Sequence, residues 1–241
     1  MRYPVADFTA SGESHPALKT KYSVAFCGIV YGRMRENATP NLQISALYKN
    51  ERMFYTENDL TRKGGGAMGA RQESCCFTGH RPGKLPWKYN EEDAQCLALK
   101  RRMTDAVETA YEEGYRHFLC GMAMGCDLYF CECVLALREQ YPDVTVEAAI
   151  PCPTQADRWP AAQRERYARL VAACDFETLV SQQYTSTCMQ RRDRYMVDHA
   201  SLLIAAFDGS AGGTRYTVEY AMRRGLDIVD LPIVTGNFTG F

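Results

Sequence analysis

The sequence has no run of about 18 consecutive apolar residues, which predicts that no transmembrane helix is present. Residues 1–10 lack the charged and then apolar order of a secretory signal peptide. A net charge of −1 gives no basic surplus of the kind that nucleic-acid phosphates attract. These absences predict a cytoplasmic protein without a membrane partner, for which nucleic acid is an unfavoured but not an excluded partner.

The 11 cysteines include no C-x-x-C pair, a spacing found in many zinc and dithiol sites. Several of them, among them Cys75, Cys76, Cys120 and Cys152, lie inside or beside apolar segments. Thiols in such positions are typical of the core of a cytosolic protein, where they stay reduced. The sequence therefore predicts buried free thiols, with neither a metal site nor a disulfide framework.

From Glu73 onward, apolar segments of strand length alternate with amphipathic segments of helix length. This alternation predicts right-handed crossovers and an α/β fold, a doubly wound and mainly parallel sheet with helices on both faces. We expect Asp93 to cap one helix and Gly225 to end another. The predicted strands are 74–79, 118–120, 144–150, 177–181, 202–207 and 227–231, and the predicted helices are 93–111, 160–173, 187–199 and 216–224, with a further helix ending near 140.

Residues 1–72 do not continue this alternation. Two segments in this range, 24–31 and 42–55, have strand-like or helix-like composition without a clear partner, and 62–67 has the composition of a linker. The predicted organisation is a poorly ordered or accessory N-terminal extension over 1–72, followed by one domain over 73–241. The sequence leaves open whether the chain forms a homo-oligomer.

Three glycine-containing loops follow predicted strands, and the carboxyl ends of parallel strands meet at one edge of a sheet. Glycine lets a backbone approach a ligand closely, and the first N–H groups of a helix have no internal partner, so such loops favour a phosphate. A plain strand-to-helix turn is the alternative. The predicted ligand-binding residues are Gly79, His80 and Arg81 in the first loop, Gly121, Gly125 and Asp127 in the second, and Asp208, Gly209, Gly212, Gly213 and Thr214 in the third.

Three charged residues are candidates for more specific roles. Asp127 can accept hydrogen bonds from a ribose hydroxyl, or can simply favour the positive end of a helix dipole. Arg191 lies on a helix rich in arginine and can bind a phosphate in a bidentate fork, with a solvated ion-paired face as the alternative. Glu219 lies in the first turns of the last helix and is the carboxylate best placed for acid–base chemistry near a ribosyl group.

Five segments in order resemble the YpsA-like proteins of bacteria. They are C-C-F-T-G-H-R-P-x-K-L, G-M-A-M-G-C-D, the P-C-P-T-Q region, R-R-D-R-Y-M-V-D and F-D-G-S-A-G-G-T, and they extend over about 74–231. These proteins belong to the SLOG superfamily of Rossmann-like nucleotide-binding proteins, together with the DNA-processing protein DprA and the LOG phosphoribohydrolases. The resemblance implies a Rossmann-like fold and a nucleotide or ADP-ribose-like ligand. We predict no required cofactor.

The chain departs from the LOG enzymes in its third loop. Their turn is P-G-G-x-G-T with a glutamate three residues past the threonine, whereas Asp208 and Gly209 stand at the start of this turn and Glu219 lies further along. The favoured function is therefore a nucleotide-ligand binder that acts as a sensor or regulator. One alternative is hydrolysis of an N-glycosidic bond, for which Glu219 and Asp127 are the catalytic candidates. The other is a DprA-like module that binds single-stranded DNA.

Overall fold

The structure, a computed structural model, describes residues 52–54 and 71–234. Seven strands form one sheet in which every neighbouring pair is parallel. They are β1 (Arg52–Phe54), β2 (Ser74–Gly79), β3 (His117–Cys120), β4 (Thr145–Ile150), β5 (Phe176–Leu179), β6 (Leu202–Ala206) and β7 (Asp227–Asp230). The helices between them are α1 (Ala94–Glu112), α2 (Cys126–Gln140), α3 (Ala161–Ala173), α4 (Cys188–Asp198) and α5 (Gly213–Arg224).

The ends of two helices follow from local chemistry that the sequence predicts correctly. The Asp93 carboxylate accepts a hydrogen bond from the backbone N–H of Gln95 at 2.8 Å, which satisfies one of the free donors at the start of α1. Gly225 ends α5 in the left-handed conformation with a φ of 72°. The predicted start of α5 at Tyr216 is wrong by three residues, since the helix begins at Gly213.

Successive residues of the central strands face opposite sides of the sheet, and each side carries its own helices. Cys75 and Phe77 of β2 pack into a core with α1, α2 and α3, whereas Cys76 packs into a second core with α4 and α5. Strands buried on both faces are expected to be apolar throughout, and five of the six residues of β2 are buried. The doubly wound, Rossmann-like α/β fold predicted from the sequence is thus confirmed.

The strand order is β1-β5-β4-β3-β2-β6-β7, and it places the reversal of chain direction between β2 and β6. From β2 the chain proceeds outward through β3, β4 and β5, and α4 then returns it to β6 on the other side of β2. Because connections diverge on either side of this pair, a crevice opens beyond the carboxyl ends of β2 and β6. The loops that start at His80 and Phe207 lie at this point.

The edge strand β1 lies within the range that the sequence assigns to an N-terminal extension. Arg52–Phe54 pair with residues 177–179 of β5, so the sheet includes at least this part of the range. The segments 24–31 and 62–67 lie outside the described residues, and the boundary between extension and domain stays a prediction. In the part of the chain that is described, no helix is both long and apolar enough to cross a membrane.

Candidate ligand-binding crevice

A crevice with a cavity volume of about 320 Å³ lies at the reversal point between β2 and β6. This volume is at the small end of the roughly 300–1,000 Å³ range of ligand sites. The walls come from the loop after β2, the start of α2, the inner face of α4 and the start of α5. The charged and hydroxyl-bearing side chains in these walls are His80, Arg81, Lys84, Asp127, Arg192, Asp193, Thr78 and Thr214.

His80 joins the first loop to the third. Its side chain is 2% exposed, its Nε2 lies 2.7 Å from Oδ1 of Asp208, and its Nδ1 lies 3.4 Å from Oγ1 of Thr214. The Thr214 hydroxyl donates to the carbonyl of Gly79 at 3.1 Å, so the contact runs back to the end of β2. The hydrogen bond with His80 holds the pKa of the Asp208 carboxyl well below its usual range. The two loops therefore form one connected wall.

The third loop presents the N-terminus of α5 to the crevice. Gly212, with a φ of 150°, precedes the helix and supplies no side-chain cap, so the first N–H groups of α5 keep their capacity to bind an anion. A Cβ added at Gly213 would meet no atom within 4 Å, and Gly213 lines the crevice. The Asp208 carboxylate accepts from the backbone N–H of Ser210 at 2.9 Å and so shapes the turn.

Lys84 brings a cation to this helix N-terminus. Its ammonium group donates to Oγ of Ser210 at 3.1 Å and to the carbonyl of Ala211. A Cβ at Gly212 would lie 2.8 Å from Nζ of Lys84, the movable end of a flexible side chain, so the position favours glycine mainly because its φ is 150°. The contacts described for Lys84 are thus with neutral oxygens at the mouth of the crevice, beside the positive end of a helix dipole.

The second loop packs against the first more tightly than the sequence indicates. A Cβ at Gly125, where φ is 100°, would lie 2.9 Å from the carbonyl oxygen of His80 and 2.9 Å from Cδ of Pro82. The backbone N–H of Cys126 at the start of α2 donates to the same His80 carbonyl at 3.2 Å. Gly121 lies beneath the Arg192 guanidinium, and neither glycine is among the residues that line the crevice. Both glycines allow close contact between parts of the protein.

Arg192 holds two carboxylates at the floor of the crevice. Its Nε donates to Oδ1 of Asp193 at 2.8 Å, and one terminal nitrogen donates to the Gly121 carbonyl and lies 3.7 Å from Oδ2 of Asp127. Oδ2 of Asp127 also accepts from the backbone N–H of Ala123 at 3.1 Å. Burial raises the pKa of Asp127 to about 6, against the opposing effect of Arg192. Although burial opposes it, the two carboxylates raise the pKa of Arg192, so this guanidinium is engaged within the protein.

Several residues predicted from the sequence lie away from the crevice walls. Arg191 is exposed and is absent from the lining, whereas its neighbour Arg192 is buried within it. Glu219 is 47% exposed and accepts from Nε of Arg215 at 2.8 Å on the outer side of α5. Gly79 and Arg81 do line the crevice, and a Cβ at Gly79 would lie 2.5 Å from Cβ of Cys126.

The sequence interpretation omitted Lys84 and Asp193 as site residues and chose Arg191 over its neighbour Arg192, although a signal for Arg192 was present. The buried positions of α4 include Cys188, Arg192 and Met196, which recur every four residues and define the face toward the sheet. An arginine on that apolar stripe requires buried carboxylate partners. In the described residues, no group of three or more His, Cys, Asp or Glu side chains is placed to hold a metal ion.

Comparison with known proteins gives both sequence and structural matches. A family model described as the YspA SLOG family (YpsA) matches residues 75–230. The uncharacterized SPbeta prophage-derived protein YoqJ of Bacillus subtilis is 30% identical over 141 residues, which is 53% of this chain and 82% of YoqJ. The UPF0398 protein YpsA of the same organism is 24% identical over 151 residues, 61% of this chain and 83% of that protein.

Among solved structures, DNA processing protein A (DprA) from Streptococcus pneumoniae superposes with a TM-score of 0.46 and 16% identity. The match covers 70% of this chain and 53% of the DprA chain. A structure of the Helicobacter pylori protein of the same name, described for its mode of binding single-stranded DNA, gives a TM-score of 0.46 and 12% identity over 69% of this chain and 68% of that chain.

Proposed function

The chain belongs to the YspA SLOG family, and on this premise we propose that its crevice binds a nucleotide or nucleotide-derived ligand, such as an ADP-ribose-like molecule, as a sensor or regulator. The observation that carries the proposal is the position of Lys84 beside the uncapped N-terminus of α5. An ammonium group and the positive end of a helix dipole repel each other, and an anion that lies between them is attracted by both. A phosphate group supplies that anion.

Arg81 adds a second cation at the same edge. Its guanidinium is exposed and contacts the sulfur of Met189 at 3.8 Å, a neutral and weak acceptor. Among the described residues, neither Arg81 nor Lys84 lies within ion-pair distance of a carboxylate, although the charge of Arg81 contributes to lowering the pKa of Asp127 against the larger effect of burial. Arg192 is less suited to a phosphate, because its donors already face Asp193, Asp127 and the Gly121 carbonyl. The phosphate therefore belongs at the α5 end.

The proposal is tested by isothermal titration calorimetry with AMP, ADP-ribose and NAD. We expect at least one of them to bind with a Kd below about 1 mM, the weakest affinity worth assigning to a specific site. Lys84→Ala should weaken that binding by about tenfold, the contribution of one charge-assisted hydrogen bond. Arg101→Ala, which removes an exposed cation from α1, is the control and should leave the affinity unchanged. Absence of binding to all three ligands would reject the proposal.

N-glycosidic hydrolysis has less support from this geometry. Glu219, the favoured carboxylate for such a reaction, forms an ion pair with Arg215 outside the crevice walls. Asp127 does line the crevice, so it is the carboxylate that a hydrolase would have to use. Free base released from nucleoside monophosphates, and lost in Asp127→Asn but retained in Glu219→Gln, would establish this activity.

A nucleic-acid-binding face is favoured by a separate observation on α4 and α5. The rings of Tyr216 and Tyr220 are nearly parallel, with centroids 6.4 Å apart, and the Arg194 guanidinium lies 5.8 Å from each of them. Arg223 lies 5.9 Å from the Tyr220 ring. Exposed arginines beside aromatic rings are typical of surfaces that bind single strands through phosphate contacts and base stacking.

Fluorescence anisotropy with a labelled oligothymidylate tests this second function. We expect binding that weakens with salt and that decreases in Arg194→Ala and in Tyr220→Ala, while Lys84→Ala in the crevice has a smaller effect. Arg169→Ala on α3, whose side chain is 66% exposed, is the matched control. Equal loss of binding in the control would show that only general charge is involved.

A further inference from the structure

The crevice has two ends of opposite electrical character. Lys84, Arg81 and the N-terminus of α5 make the mouth positive, whereas Asp127, Asp193 and Arg192 give the floor two carboxylates for one guanidinium. Asp127 and Asp193 are 5% and 8% exposed, and both line the crevice. Since a phosphate is repelled by a buried carboxylate pair, the ligand must present a different group to the floor.

Each carboxylate has one oxygen that is engaged by the protein and one for which no protein contact is described. Oδ2 of Asp127 accepts from Ala123 and lies near Arg192, and Oδ1 of Asp193 accepts from Arg192. None of the described contacts engages Oδ1 of Asp127 or Oδ2 of Asp193. Neither oxygen is among the buried side-chain atoms that lack a hydrogen-bond partner, which indicates that both are accessible. Both oxygens are therefore accessible acceptors on residues that line the crevice, and one guanidinium holds both carboxylates in position.

We propose that Asp127 and Asp193 together accept hydrogen bonds from the cis-diol of the ligand's ribose, so that the crevice selects ribonucleotides over 2′-deoxyribonucleotides. This inference rests on the proposed function, because it assumes that the phosphate lies at the α5 end. Adjacent ribose hydroxyls supply two O–H donors for two acceptor oxygens. A floor built to hydrogen-bond a hydroxyl discriminates strongly against an analogue that lacks it, since the acceptor oxygen is then desolvated without a donor.

Arg192 has a positioning role in this arrangement. Its guanidinium ties α4 to the second loop through the Gly121 carbonyl and fixes the orientation of both carboxylates. A Cβ at Gly121 would overlap the guanidinium, so the glycine is part of the same arrangement. The floor is thus rigid before the ligand arrives, which reduces the entropy cost of binding.

Calorimetry on the unmodified protein tests whether the carboxylates bind the ribose hydroxyls or another donor group of the ligand. The ligands are AMP, 2′-deoxy-AMP, ribose 5-phosphate, 2-deoxyribose 5-phosphate, GMP and 2′-deoxy-GMP. We expect each ribose compound to bind at least about tenfold more tightly than its deoxy counterpart, a conservative value for one hydrogen bond to a charged acceptor. Equal binding of GMP and 2′-deoxy-GMP, with no binding of ribose 5-phosphate, would mean that the carboxylates bind a base edge, and would overturn the inference.

Two variants test whether the selectivity for ribose over deoxyribose depends on the Asp193 carboxylate at the floor of the crevice. In Asp193→Asn and Asp193→Ala, the affinity ratio of AMP to 2′-deoxy-AMP should fall toward one, because AMP loses a hydrogen bond that 2′-deoxy-AMP does not have. Thermal unfolding checks that each variant is folded, and the ligand series on the unmodified protein remains decisive if either is not. If AMP and 2′-deoxy-AMP bind equally to the unmodified protein, the inference is wrong and the proposed function stands. If no phosphate compound binds, both fail.

Discussion

Nε2 of His80 lies 2.7 Å from Oδ1 of Asp208, and this contact joins the loop after β2 to the loop after β6. The two residues are 128 positions apart in the chain, and each follows one of the two strands at which the chain direction reverses. The contact thus fixes the relative position of the crevice mouth and the turn that precedes α5. It also makes the geometry of that turn depend on the ionisation of the Asp208 carboxyl.

We predict that part of the loss of folding stability at acid pH comes from the His80–Asp208 pair. The pKa of Asp208 is lowered in the folded state, so its contribution to stability is present above the unfolded pKa of about 4 and is lost as the pH falls below it. In Asp208→Asn, urea unfolding between pH 2.5 and pH 7 should show a smaller loss of stability at the acid end. His80→Asn should show the same change, because it removes the partner of the carboxylate.

A double-mutant cycle tests whether the two effects share one origin. At pH 7 the double variant should be less destabilised than the sum of the single variants, with a coupling energy of about 1–3 kcal/mol for a charge-assisted hydrogen bond. Strict additivity would mean that the His80–Asp208 contact contributes nothing measurable, and that the loops are joined by other interactions.

Gly213→Val is expected to abolish phosphate-dependent binding and to leave the fold intact. A Cβ at Gly213 meets no protein atom within 4 Å, and Gly213 lines the crevice, so we expect a valine there to fit without a clash and to obstruct the approach of a phosphate to the first N–H groups of α5. Calorimetry with AMP measures the loss, and thermal unfolding checks the fold. Ala161→Val, at the exposed first position of α3, is the matched control. Retained affinity in Gly213→Val would place the phosphate elsewhere.

Much of the fold was predictable because its signals are local. Buried parallel strands such as Leu202–Ala206 are continuous apolar runs, and helix ends such as Asp93 and Gly225 are set by residues within one turn. The edge strand at Arg52–Phe54 was not resolved by these signals. Its assignment depends on pairing with β5, more than 120 residues away, which no local pattern encodes.

The site was predictable only in part, for the same reason. Glycine turns at strand ends indicated the three loops, and the fold brings them to one edge. The choice of Arg191 over Arg192 depended on which face of α4 meets the sheet, and a run of neighbouring charges obscures that face in the sequence. Gly121 and Gly125 carry the same signal as a ligand-binding turn, but their close approach is to Arg192 and His80. Residue type alone does not distinguish the two cases.

Gly121→Ala is therefore expected to destabilise the protein. The added Cβ would overlap the Arg192 guanidinium and lie 2.8 Å from Oδ2 of Asp127, so the buried ion pairs must separate or the loop must move. Disruption of a buried charge network costs at least about 2 kcal/mol. Gly83→Ala is the matched control, because a Cβ there meets no atom within 4 Å. Urea unfolding of the two variants should differ by that amount, and equal stabilities would contradict the packing described for the second loop.

Asp127→Asn should instead stabilise the protein at neutral pH. Burial raises the pKa of Asp127 from 3.8 to about 6, so the folded state retains a proton that the unfolded state releases between about pH 4 and pH 6. The unmodified protein therefore loses stability as the pH rises through this window, and the loss persists at pH 7. Removing the charge leaves Arg192 paired with Asp193 and should raise the unfolding free energy at pH 7 by about 1–3 kcal/mol.

Urea unfolding at pH 4.5 and pH 7 measures the effect, with Asp105→Asn on the exposed face of α1 as the control. The gain of Asp127→Asn should be larger at pH 7 than at pH 4.5, because Asp127 is mostly protonated at the lower pH. If Asp127→Asn is less stable at pH 7, the ionised carboxylate is needed to hold Arg192 in place, and its role is structural.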